Sequence, residues 1–158
     1  MDFGEIAFKE ILRQIEIYGI THQTQQFLNV LLPKSLVDRS FSVMFQESKI
    51  KCCIAKLSDR CVWIFNSKDN LYYVFIDDDS TYCSCPSYQT NILKENKYPY
   101  CKHIIAAFIC NALKNRGDIS QFRIEDIDDS KYSTYLANTV IASLFGKKKI
   151  TTNEILHS

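Results

Sequence analysis

The chain has little of the composition that marks disordered or membrane-spanning segments. Its 158 residues include only four glycines and three prolines, which is too few for a linker or a low-complexity tract. The longest uninterrupted apolar run, from Ile104 to Cys110, is far shorter than the ~20 residues that a membrane-spanning helix needs. We therefore predict one compact domain over residues 1–158 that makes no contact with a membrane.

A basic excess and an export signal are also missing. Lys and Arg number 19 against 18 Asp and Glu, which leaves a formal net charge of +1. Any binding to nucleic acid must therefore come from a local patch. The first residues, Met1 to Glu5, carry acids where a secretory signal has a basic region. We expect a cytosolic or nuclear protein whose seven cysteines stay unpaired.

The spacing of apolar residues predicts an α+β fold. Helical spacing over residues 3–18, and again from Thr21 to Leu32, indicates an N-terminal helical hairpin broken at Gly19. Runs of β-branched and aromatic residues then predict an antiparallel β-meander that ends in a zinc knuckle; the runs are 41–45, 50–54, 61–65, 71–76 and 82–85. C-terminal helices complete the fold; they are predicted over 88–94, 102–115 and 130–145.

Two features near the C-terminus have more than one interpretation. The acidic run over residues 117–130 is interpreted as capping groups that complement the dipole of the last helix. One face of that helix either closes the core or binds a partner; its residues are Tyr132, Tyr135, Leu136, Val140 and Leu144. If it closes the core, we expect the partner surface on Phe8, Ile11 and Ile15 of the first helix.

One spacing of cysteine and histidine predicts a metal site. Cys83 and Cys85 are followed, after fifteen residues, by Cys101 and His103. Three thiolates and an imidazole form the soft ligand set of a closed, tetrahedral structural zinc site. Ala106 lies one helical turn after His103, where a small side chain lets the helix approach the knuckle closely. Four strong ligands leave no open position for a catalytic water, so we expect no enzyme.

The remaining cysteines have simpler interpretations. A thiol enzyme would need one reactive cysteine with His103 as its base, and this leaves the paired spacing unexplained. Cys110 shares the helix face of His103 and ranks below the four residues as a substitute ligand. Outside the motif, all the cysteines are expected to be buried and to act as small hydrophobic residues; they are Cys52, Cys53, Cys61 and Cys110.

A basic segment with aromatic residues spans residues 86–116, which include the second half of the motif. Lys94, Lys97 and Lys102 stand beside Tyr98 in a stretch with few acids. Basic groups interleaved with aromatic rings suit single-stranded nucleic acid, through phosphate contacts and base stacking. The alternative is a solvated loop whose tyrosines pack on the zinc knuckle.

The motif resembles a known family. Cys83-x-Cys85 followed by Cys101-x-His103-x-x-Ala106 is similar to the signature of the SWIM zinc finger, which we expect over residues 72–110. Residues 82–88 and 101–107 resemble the small single-domain SWIM proteins of the Shu complex.

That resemblance implies a non-catalytic subunit of a recombination mediator with one structural zinc. Such proteins pair with recombinase paralogues and promote recombinase filament assembly on single-stranded DNA, in homologous-recombination repair and meiosis. We therefore expect a nuclear protein that meets single-stranded DNA through its complex and takes no small-molecule substrate. The alternative is a DNA-binding SWIM module of a transposase-derived or other nuclear protein.

Overall fold

The computed structural model describes residues 3–77, 80–88, 90 and 100–145. They form an α+β fold, as the sequence predicts. The helices are α1 (Phe3–Tyr18), α2 (His22–Leu31), α3 (Lys34–Ser42), α4 (Lys102–Arg116) and α5 (Asp129–Phe145). The strands are β1 (Ser48–Ala55), β2 (Cys61–Ser67), β3 (Leu71–Ile76), β4 (Thr81–Cys83) and β5 (Arg123–Ile127), and a π-helical turn, Val43–Glu47, joins α3 to β1. No described helix has both the length and the apolar character to cross a membrane.

The five strands form one mixed sheet in the order β4-β3-β2-β1-β5. Consecutive strands from β1 to β4 pair antiparallel, which confirms the predicted meander. β5 pairs in parallel with β1 at the opposite edge, with Lys51 against Arg123 and Ala55 against Ile127.

Helices cover both faces of this sheet. On one face α4 contacts α1, α3, β3 and β4, and its buried residues Ile104, Ile105 and Ile109 are fully inaccessible to solvent. On the other face α5 packs on β1 and β3. Helix α4 is therefore the central element that joins the N-terminal helices to the strands.

Local sequence signals place several helix ends where they were predicted. Thr21 caps α2: its hydroxyl accepts the N–H of Thr24 at 3.1 Å, and its own N–H donates to Oγ1 of Thr24 at 2.9 Å. Gly117 ends α4 with φ of +88°, in the left-handed region that glycine adopts without strain. The guanidinium of Arg116 donates to the carbonyl oxygen of Ile17 and so ties the end of α4 to the end of α1.

The first predicted strand, residues 41–45, is wrong. Phe41 belongs to α3 and Phe45 to the π-helical turn, and their rings stack with centroids 6.1 Å apart, as residues four apart on a helix can. Val43 and Met44 are buried, so this segment packs its apolar side chains with helical rather than strand spacing.

The interpretation of residues 117–130 as capping groups is wrong for most of the segment. Glu125 lies in β5, where its carboxylate pairs with Lys51 Nζ at 3.0 Å. Asp129 stands in the first turn of α5, but its two oxygens accept the backbone N–H groups of Leu57 and Ser58 at 2.9 and 3.1 Å. Glu125 and Asp129 therefore join β5 and α5 to the β1–β2 hairpin, and Asp129 also stands where an acid complements the dipole of α5.

The apolar face of α5 closes the core. Tyr135 is 5% exposed, and Tyr132 and Leu136 pack beside it on the sheet. The expected partner surface on the first helix is wrong as well, because Phe8, Ile11 and Ile15 are all buried. Leu144 also belongs to the predicted face, but its side chain lies outside the described residues.

The prediction that every cysteine is unpaired is wrong for Cys52 and Cys61. These two residues form a disulfide between β1 and β2. Cys53 and Cys110 are free and fully buried, as expected of small core residues.

Candidate metal centre

Cys83, Cys85, Cys101 and His103 come together at one end of the sheet. Their potential ligand atoms all lie within 4.8 Å of one another. Cys83 ends β4, and Cys101 is the residue immediately before α4, with His103 in that helix's first turn. The side chains from the strand end therefore meet those from the helix start, as the spacing predicts.

Backbone hydrogen bonds fix the pair of cysteines that follows β4. Ser84, between them, donates its N–H to the carbonyl of Tyr73 at 3.1 Å and accepts the N–H of Tyr73 on its hydroxyl at 2.9 Å. The sulfur of Cys83 accepts the N–H of Cys85 at 3.5 Å, and the sulfur of Cys85 accepts the N–H of Tyr88 at 3.3 Å. These bonds direct both sulfurs to the same side of the chain.

The sequence analysis missed the role of Ser84, whereas Tyr88 is one of the tyrosines of the basic segment for which packing on the zinc knuckle was the alternative. Tyr88 is buried, and its hydroxyl donates to the carbonyl of Thr81 at 2.9 Å, across the free side of β4. A serine between two ligand cysteines and a tyrosine three residues after the second are the signals that could have identified them.

His103 is held by aromatic rings and is only 4% exposed. The ring of Tyr72 lies 4.7 Å from the imidazole and that of Phe65 lies 5.6 Å from it, centroid to centroid. Nδ1 of His103 is buried and has no hydrogen-bond partner among the described residues. A buried polar atom without a partner costs free energy, and a metal ion bound at this ring would remove that cost.

The electrostatics of the three thiols also call for a cation. Burial raises the pKa of Cys83 well above its usual value and that of Cys101 to about 12. The pKa of Cys85 is lowered, because hydrogen bonds with Cys101 and Cys83 stabilise its thiolate. Because metals bind thiolates, a divalent cation at this cluster would displace the protons that burial favours on Cys83 and Cys101.

Zinc fits this ligand set. Three thiolates and one imidazole match the ligands of structural zinc sites, in which bonds of about 2.0–2.3 Å place the ligand atoms about 3.5–4 Å apart. The sulfurs and the imidazole are already gathered and buried. The chain therefore holds one structural zinc, with Cys83, Cys85, Cys101 and His103 as the residues that would bind it.

Comparison with known proteins agrees with this geometry. Residues 72–112 match the SWIM zinc finger family. The chain is also 25% identical, over 79 residues, to the zinc finger SWIM domain-containing protein 7 homolog of Dictyostelium discoideum. That alignment covers 50% of this chain and 46% of the relative, so the chain spans about half of that protein's length. No solved structure matches.

The structure describes only some of the other residues that were predicted to have a role in or near the metal motif. Lys102 is partly buried at the start of α4, whereas Lys94, Lys97 and Tyr98 lie outside the described residues. Cys110 is not part of the metal cluster; burial alone raises its pKa to about 12. The predicted nucleic-acid contact therefore stays a prediction.

Ala106 supplies a direct test of how tightly α4 packs in the SWIM zinc finger. Its side chain has no exposed surface, so Ala106→Thr adds a methyl and a hydroxyl group to a filled space. We expect the change to lower the free energy of unfolding by about 1–3 kcal/mol and to leave zinc bound, because no ligand is altered. Thermal melting and zinc content are the measurements.

Ala137→Thr is the matched control, since Ala137 is exposed on α5. It makes the same substitution in a helix without crowding, so only the small difference in helix propensity remains. Equal melting temperatures for the two variants would show that the space around Ala106 is not filled.

Proposed function

We propose that this chain is a non-catalytic subunit of a recombination-mediator complex of the Shu type. In that role it pairs with a recombinase paralogue in the nucleus and promotes recombinase filament assembly on single-stranded DNA in homologous-recombination repair. The observation that carries the proposal is the burial of the whole ligand set, at 0, 2, 3 and 4% exposure for Cys83, Cys85, Cys101 and His103. A four-ligand zinc enclosed in this way stabilises a fold and leaves no position for a substrate.

The motif resemblance supports the choice of a Shu-type complex, and the comparisons support the SWIM zinc finger within it. The Dictyostelium relative carries the name of a SWIM domain-containing protein, and residues 82–88 and 101–107 resemble the SWIM subunits of Shu complexes. The resemblance to the Shu subunits includes the metal motif and extends to residues that do not bind metal, such as Ser84 and Ala106. We propose the role of the Shu SWIM subunits for this chain on the basis of that resemblance.

A partner-binding role is also supported by the surface of α2. Val30 is 87% exposed and Phe27 is 47% exposed on this helix. Residues 19–33 contain no Asp, Glu, Lys or Arg, although 23% of the chain is charged. Exposed apolar side chains in surroundings depleted of charge are typical of the centre of protein interfaces. We therefore propose α2 as the surface that binds the recombinase paralogue.

Coexpression tests the pairing. The full chain is coexpressed with each recombinase paralogue of its own organism, and we expect one of them to copurify in a stable complex. Val30→Lys should weaken that complex at least tenfold, which is about 1.4 kcal/mol, because a lysine would be desolvated at the interface. Leu57→Lys is the control, since Leu57 is 91% exposed on the β1–β2 hairpin.

Binding of single-stranded DNA separates the proposal from a DNA-binding module. Fluorescence anisotropy with a labelled oligonucleotide should show weak binding by the chain alone and stronger binding by the complex. Tight binding by the chain alone would contradict the proposal if the binding constant also fell steeply with salt. The logarithm of that constant falls with the logarithm of the salt concentration by about 0.7 per neutralised phosphate, so a steep slope would indicate several phosphate contacts. Failure to form a stable complex with any of the recombinase paralogues would also contradict the proposal.

A further inference from the structure

The disulfide between Cys52 and Cys61 joins two strands at the side of the sheet that faces α4. The two Cα atoms are 6.4 Å apart, within the usual range of about 4.4–6.8 Å for disulfides. In the register of β1 and β2, Cys52 is opposite Trp63 and Cys61 is opposite Ile54. The two cysteines are therefore diagonal neighbours on one face, where side chains can meet across strands.

The two sulfurs differ in their access to solvent. Cys61 is partly exposed and lines an open cleft of about 660 Å³ between α1, α4 and the ends of β3 and β4. Cys52 has no exposed surface and lies behind Cys61 in the core. A cleft of this volume is within the ~300–1,000 Å³ of sites that bind small molecules, so a small reagent can reach Cys61 and cannot reach Cys52 directly.

We propose that Cys52 and Cys61 form a reversible redox pair that exchanges with low-molecular-weight thiols and disulfides through this cleft. In the oxidising direction, the thiolate of Cys61 attacks a sulfur of a small disulfide such as oxidised glutathione. One glutathione leaves as a thiol, and a mixed disulfide remains on Cys61. The thiolate of Cys52 then attacks the Cys61 sulfur and releases the second glutathione. Two cysteine thiols are oxidised, and one glutathione disulfide is reduced to two thiols.

The other cysteines are placed so that they do not compete. Cys53 and Cys110 have no exposed surface, and burial raises the pKa of both thiols, which lowers their thiolate fraction. The three cysteines of the metal centre are buried and are committed to zinc. All seven cysteines lie in the described part of the chain, and Cys61 alone among them is partly exposed.

The test uses the full, zinc-loaded chain. After mild reduction, it is incubated with oxidised glutathione, free thiols are alkylated, and peptides are mapped by mass spectrometry without reduction. We expect a Cys52–Cys61 linkage with zinc retained, and an increase in melting temperature of about 5–10 °C from closure of a short loop. The Cys52→Ala variant should instead accumulate glutathione on Cys61, because the second thiol is missing.

Cys53→Ala is the matched control, since Cys53 is the next residue of the same strand, is equally buried and faces the other side of the sheet. It should form the Cys52–Cys61 linkage at the wild-type rate. Alkylated Cys61 without any linkage in wild type would overturn the proposal, and so would glutathione on another cysteine in Cys52→Ala. A linkage that forms only as zinc is released would also contradict it, because it would arise from an opened fold.

Discussion

Cys101→Ala is expected to remove zinc and leave a chain that does not fold. Structural zinc contributes on the order of 10 kcal/mol in small fingers, and a whole domain is stable by only about 5–15 kcal/mol. The position of Cys101 adds to the effect, because it is the residue from which α4 begins. Circular dichroism, solubility and metal analysis of the variant are the measurements.

Cys110→Ala is the control for this prediction. Cys110 lies on the same helix and is equally buried, but it is not part of the metal cluster. Removal of its sulfur leaves a small cavity that costs about 1 kcal/mol, and zinc should stay bound. A folded Cys101→Ala variant with the melting temperature of wild type would show that the fold does not depend on the metal.

Tyr135→Ala is expected to destabilise the isolated chain by about 3 kcal/mol, in the range for removal of a buried aromatic side chain. The ring of Tyr135 lies 5.5 Å from that of Tyr73 in β3, centroid to centroid. It is also buried, at 5% exposure, and packs with Tyr132 and Leu136 on the second face of the sheet. Urea denaturation measures this loss of stability as a lower midpoint concentration with an unchanged m-value.

Ile141→Ala is the control, because Ile141 is 51% exposed on the same helix. Its effect should stay within about 0.5 kcal/mol, as is usual for surface positions. An unchanged midpoint for Tyr135→Ala, together with a weakened partner complex, would contradict the prediction. It would show that this face of α5 is an interface and not part of the core.

The metal centre could be predicted from the sequence because its chemistry restricts both residue type and spacing. Few kinds of site other than a metal site require three cysteines and a histidine in two closely spaced pairs. The structure brings all four residues together. The start of α2 and the end of α4 could also be predicted from the sequence, because Thr21 and Gly117 act through local backbone geometry. Such features depend only on residues near one another in the chain.

The remainder depends on contacts that are remote in sequence. β5 carries Arg123, Glu125 and Asp126 and has little strand pattern of its own. It is a strand because β1, far earlier in the chain, supplies a parallel partner. The face of α5 has the same pattern in a core as in an interface, and only the sheet beneath it decides between them.

The Cys52–Cys61 pair shows the same limit. Both strands were predicted close to their observed positions, but the pairing of two cysteines requires the register between them. A shift of that register by one residue would place Cys52 on the opposite face from Cys61. The aromatic rings around His103 come from β2 and β3, so they too required the sheet to be assembled.

Native mass spectrometry of the purified, folded chain tests the central claim most directly, because it counts metal ions on intact compact molecules. The account predicts a single compact species with one zinc per chain, and loss of the compact charge-state distribution when a chelator removes the metal. A compact species without zinc that persists after chelation would contradict the assignment of Cys83, Cys85, Cys101 and His103 as a structural zinc site.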